Sequence, residues 1–172
     1  MTEFGLLQKK GIIAFTDGNI TIQNTRLMSR IMKSAHDLNC LIIQHAEDYH
    51  LSKDGMINDG IIATKLGLQG IPGLAELIII ERDLTLLESI KCRYHISQIS
   101  AFKSVEAIKR RKERVKFTCG VSINNLSLNE NDIGDFRTFL KLSPPLRTEE
   151  DRQALVQGLN DRIIDVIVSD HK

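Results

Sequence analysis

The chain of 172 residues has no tryptophan, three prolines and only 5% aromatic residues. It also lacks an excess of charge of either sign. Twenty-three basic residues stand against twenty-two acidic ones, for a formal net charge of +1, which excludes bulk electrostatic attraction to nucleic acid or to an anionic membrane surface. Long apolar runs are absent as well: Leu77 to Ile80 is far too short to span a bilayer. The opening Met1-Thr2-Glu3-Phe4-Gly5 has neither the basic flank nor the apolar stretch of a signal peptide, so the expected location is cytoplasmic. Cys40, Cys92 and Cys119 cannot all pair and form no C-x-x-C, and each falls in or beside an expected strand, which predicts buried reduced thiols.

What is present is ordinary globular composition, 42% hydrophobic and 26% charged, sufficient for one domain with a core. Strand-type and helix-type patterns alternate along it. Strands are expected at Gly11–Thr16, Leu41–Gln44, Tyr94–Ile99, Val115–Cys119 and Ile163–Val168. Between them, Asn24 or Thr25 can cap a helix with Leu27, Ile31, Ala35 and Leu38 on one face and Met28 and Met32 beside it. A Gly- and Asp-rich loop spans Asp54 to Gly60. A short helix then runs up to Pro72, and a longer one covers about Leu74 to Glu88. Val105 and Ile108 mark a further helix whose other face, Lys109-Arg110-Arg111-Lys112, reads as solvated, because no aromatics interleave the basic run. Ser122 to Pro145 is polar and irregular. Thr148-Glu149-Glu150-Asp151 then resembles a capped helix start leading into Leu155, Val156 and Leu159. Five strand–helix units of this kind predict a parallel sheet covered by helices.

Polar groups recur at the ends of these strands: Asp17, then His45, Glu47 and Asp48, then His95, and finally Asp170 with His171. Parallel strands bring such residues to one face. Imidazoles and carboxylates suit zinc, and a catalytic zinc site draws its ligands from several elements.

These same segments carry a resemblance. Ala14-Phe15-Thr16-Asp17, His45-Ala46-Glu47-Asp48, Tyr94-His95-Ile96-Ser97-Gln98, Pro144-Pro145-Leu146-Arg147 and Val166-Ile167-Val168-Ser169-Asp170-His171 resemble dihydroorotase, in the allantoinase-like branch of the amidohydrolases. The resemblance implies an α/β fold that is a partial (β/α)8 TIM barrel, about its last five units. Residues 1–172 are expected to form one such partial domain, with the N-terminal strands and the C-terminal end missing. It also implies zinc and a reversible hydrolysis of the cyclic amide dihydroorotate to N-carbamoyl-aspartate. Asp170 matches the family's proton-transferring aspartate, also a metal-site residue, and His45 matches a metal-binding histidine.

Elsewhere the family pattern is broken. The metal-bridging acid falls at Gly18, leaving Asp17 as its possible substitute. The ligand histidine of His-x-x-His is Gln98, and the substrate-contacting asparagine position is Ser143. Gly120-Val121-Ser122-Ile123-Asn124-Asn125-Leu126 has lost one acid and two histidines of the family stretch, and no His-x-His occurs anywhere. The expectation is a chain inactive alone. It is completed by a complementing barrel fragment, serves as a non-catalytic subunit in a homo-oligomer or beside aspartate transcarbamoylase, or is the product of a decayed gene.

Overall fold

The computed structural model describes residues 3–170. A short helix α1 (Phe4–Lys9) precedes β1 (Ala14–Phe15), α2 (Thr25–Asp37) and β2 (Leu41–Gln44). An excursion follows: α3 (Tyr49–Ser52), β3 (Ile57–Asn58), α4 (Ile61–Leu66) and β4 (Gly70–Ile71). The chain then runs through α5 (Gly73–Ile90), β5 (Arg93–Ile96), α6 (Phe102–Lys112), β6 (Thr118–Ser122) and α7 (Ile123–Ser127) to α8 (Glu149–Asn160) and β7 (Val166–Val168).

The main sheet has the order β1-β2-β5-β6-β7, every pair parallel, as the five-unit reading requires. Tyr94 reaches Asp83 of α5, which identifies the helix side of the sheet. Its register partner Ile42 and, by strand alternation, Gln44 and Ile96 lie on that side and are buried. Leu41, Ile43, Arg93 and His95 take the other face. Packed beneath are Ile79, Ile80, Leu84 and Leu87 of α5 with Val105 and Ile108 of α6, one continuous core.

Several local expectations shift. The buried stripe of α2 is Met28, Met32 and Ala35, with Ile31 and Leu38 partly buried against the core, whereas Leu27 is 40% exposed, so the helix is turned toward its methionines. Unbranched methionine fills the irregular gap against the sheet. Asn24 is the cap, its side chain accepting from the Leu27 amide. The fourth strand is not Val115–Cys119 but Thr118–Ser122. Gly120 sits where an added Cβ would fall 2.5 Å from the Ser97 carbonyl oxygen, so the close approach of β5 and β6 needs glycine there. The fifth strand is only Val166–Val168, because the amides of Ile163 and Ile164 both turn back to the Gly158 carbonyl at the end of α8.

The basic run of α6 joins elements. Arg111 pairs with Glu81 at 2.9 Å and Glu88 at 2.5 Å, Arg110 with Glu81 at 3.2 Å and Lys112 with Asp165 at 2.7 Å. The three cysteines are buried and free, and burial pushes the Cys92 thiol up to about 11 and the Cys119 thiol up to about 12. Among the described residues no helix is long and apolar enough to cross a membrane.

Candidate active-site mouth at the strand ends

The C-terminal ends of the strands converge. His45 follows β2 directly and is 3% exposed. Its carbonyl accepts from the Thr21 hydroxyl at 2.7 Å, and the same hydroxyl accepts from the Glu47 amide, which fixes the turn leaving β2. His45 Nε2 lies 3.9 Å from Glu47 Oε2 and 3.4 Å from Ser143 Oγ. Ser143 in turn lines a cavity of about 510 Å³ together with Asp170, Ser169, Asn124 and Lys141. His45 and Asp170, 125 positions apart in sequence, therefore approach one mouth through Ser143.

The other residues singled out from the sequence go elsewhere. Asp17 is exposed and lines a separate depression of about 160 Å³ with Phe15, Thr16 and Gln44. Gly18 has a φ of +66° with open space where a side chain would go. Gln98 is buried at 7% exposure. Asp48 caps α3, its carboxylate accepting from the His50 and Leu51 amides. His95 sits half-buried on the open face of the sheet, its Nδ1 2.7 Å from Thr118 Oγ1 on the paired strand, and burial pulls its pKa below the usual 6.5. His171 lies outside the described residues.

The fit of this donor set to zinc can be judged directly. Among the described residues no group of three or more His, Cys, Asp or Glu side chains is placed to hold a metal ion. A catalytic zinc takes three protein ligands. The mouth instead presents an amide at Asn124, hydroxyls at Ser143 and Ser169, one ammonium at Lys141 and one carboxylate at Asp170. Among the described residues, the donors do not fit a resident zinc.

Beneath the mouth lies a polar network that strand-end reasoning missed. Glu76, on the buried face of α5, accepts from the Ser100 amide, the Ser100 hydroxyl at 2.5 Å and the Ala101 amide. Arg147, 3% exposed, donates from Nε to Ser100 Oγ at 3.0 Å and from Nη1 to Asn58 Oδ1 at 2.9 Å and the Ile71 carbonyl. The arginine of Pro144-Pro145-Leu146-Arg147 thus joins the β3–β4 ribbon to the loop after β5. A signal was available. Glu76 and Asp83 fall on the same helical stripe as Ile79, Ile80, Leu84 and Leu87, and a buried acid there requires a partner. For Asp83, burial pushes the carboxyl up, against Arg82 at 2.7 Å and the Tyr94 hydroxyl.

Comparison with known proteins accounts for the architecture. The chain is 38% identical to a dihydroorotase of Desulforapulum autotrophicum over 99% of its own length and 40% of the relative's. It is 42% identical to a dihydroorotase of a Thermoanaerobacter species, again over 99% of this chain and 40% of that one. It spans about 40% of the length of the curated relatives it matches. In fold it superposes on the L-hydantoinase (dihydropyrimidinase) of Arthrobacter aurescens with a TM-score of 0.81 at 21% identity, covering 98% of this chain and 40% of that one. A second solved structure, a D-hydantoinase, gives 0.79 at 23% identity over 98% of this chain and 39% of that one. The five parallel units thus share the fold of about two-fifths of a hydantoinase chain. Since the family profile described as dihydro-orotase-like matches residues 1–104, more than half of the chain, this protein belongs to the dihydro-orotase-like family.

Proposed function

We propose that this chain is a scaffold segment of a dihydroorotase-like cyclic amidohydrolase, built for the interconversion of N-carbamoyl-aspartate and dihydroorotate but not carrying that reaction by itself. Family membership supports the reaction class. The donor set supports the inactivity: Asp170 lines the mouth, His45 reaches it only through Ser143, Asp17 lines a different depression, and Gly18 and Gln98 stand at the family's other ligand positions. Asp170 remains the proposed proton-transfer residue. Ser143, beside His45, is the position from which a hydroxyl faces an entering substrate.

Thermal unfolding with and without zinc, paired with a dihydroorotate hydrolysis assay, tests the reading. A metal that binds only the folded state raises its transition temperature. The expected outcome is a cooperative transition that zinc leaves in place, with no turnover. An upward shift accompanied by turnover overturns the reading.

A complementing barrel segment is the partner that the sheet favours over a homo-oligomer or aspartate transcarbamoylase. Both outer strands, β1 and β7, are parallel edges, and apolar residues at them are open: Ile13 is 81% exposed and Ile167 is 48% exposed. Edges of this kind are templates for further strands. Mixing with a separate chain that carries the remaining barrel strands should give a one-to-one complex by light scattering, whereas association only with itself would favour the homo-oligomer.

A further inference from the structure

The strand ends opposite the mouth hold a second feature. Two adjoining depressions, of about 420 and 470 Å³, share Arg93, Val115 and Lys116 in their walls. Their origin is an alternation repeated in two segments. Lys91-Cys92-Arg93-Tyr94 enters β5 and Arg114-Val115-Lys116-Phe117 enters its neighbour β6, with cations exposed and Cys92, Tyr94, Val115 and Phe117 buried in both. Parallel pairing of β5 with β6 sets the two cationic rows side by side.

None of Lys91, Arg93, Arg114 and Lys116 takes part in an ion pair among the described residues. The nearby cations of α6 are different, being held by Glu81, Glu88 and Asp165. Among the described residues Glu88 is the one carboxylate in the walls of either depression, and Arg111 engages it at 2.5 Å. Four like charges gathered on one groove repel each other, and a multivalent anion relieves that repulsion. The apolar floor of Leu87, Cys92 and Val115 and the volumes suit a small ligand, for which sites run from about 300 to 1,000 Å³.

We propose that this groove binds a small multivalent anion, one with two or more phosphate or carboxylate groups. Guanidinium forks at Arg93 and Arg114 match either group, and Lys91 and Lys116 supply point charges. The site is independent of the mouth, and its occupancy does not depend on turnover.

Titration calorimetry of the whole chain at low ionic strength, with inorganic tripolyphosphate in one arm and citrate in the other, tests this. Saturable binding at one site is expected, and the tighter arm tells phosphate from carboxylate. The double variant Arg93→Ala with Lys116→Ala should weaken binding by about tenfold or more. Arg110→Ala removes a charge from α6 outside the groove and should leave affinity unchanged. Should the double variant lose its fold by circular dichroism, Lys91→Ala with Arg114→Ala carries the same test. No saturable binding in either arm, or equal weakening by Arg110→Ala, overturns the proposal.

Discussion

The Arg147 network and the His45 mouth are two polar regions built from overlapping loops, and they differ in how their groups are satisfied. In the first, a carboxylate receives backbone and hydroxyl donors and an arginine is spent on a hydroxyl, an amide and a carbonyl. In the second, hydroxyls and an amide line an open cavity with one carboxylate, and a buried imidazole stands behind Ser143. The groups of the first region are paired across the β3–β4 ribbon, α5 and the loop after β5, whereas those of the second stand around an open cavity.

Arg147→Ala should have the largest effect. It leaves the Ser100–Glu76 pair buried without its cation, and breaking such an arrangement costs about 3–5 kcal/mol, read as a fall in the denaturant midpoint. Ile80→Ala, in the apolar core between the sheet and α5, should cost about 2–5 kcal/mol by opening a cavity. Thr148→Ala removes the capping box in which the Thr148 side chain accepts from the Asp151 amide and Asp151 Oδ2 accepts from the Thr148 amide. That change should cost about 1 kcal/mol. Ser143→Ala, at the mouth, should cost under about 1 kcal/mol, and a loss equal to that of Arg147→Ala would erase the contrast between the regions.

The smallest effect is one of pH. Burial holds the His95 imidazole below its usual 6.5, so the unfolded chain takes up that proton more readily than the folded one. Its contribution to stability is therefore complete above the unfolded value and diminishes as pH falls through 6.5 toward the folded value. Unfolding midpoints measured from neutral pH downward should show this decline, and His95→Gln should flatten it.

Long-period features were legible in the sequence. Leu41–Gln44 is a strand as read, Thr148 caps α8, and the five units stack in parallel order because each apolar run is long enough to declare itself. Features set by tertiary contact were not. The β3–β4 ribbon has two residues a side and leaves no periodicity, β6 moves three residues along because Gly120 must pass the Ser97 backbone, and Ser122 to Pro145 folds into α7 and two short 3₁₀ turns. At the site, parallel strands were enough to expect polar residues of distant segments at the strand ends, as His45 after β2 and Asp170 after β7 are placed. The role of Arg147 was not legible in this way, because its partners Asn58 and Ile71 lie 89 and 76 residues away.

That separation bears on the order of events in folding. Joining Arg147 to Asn58 closes a chain segment of 89 residues, and the entropy of such closure must be met before the bond returns anything. The network is therefore expected to form after the β2–α5–β5 unit, whose contacts are nearer in sequence. Weakening it should then leave the refolding rate nearly unchanged and quicken unfolding. Arg147 is thus expected to act as a brake on the release of the β3–β4 ribbon from the loop after β5.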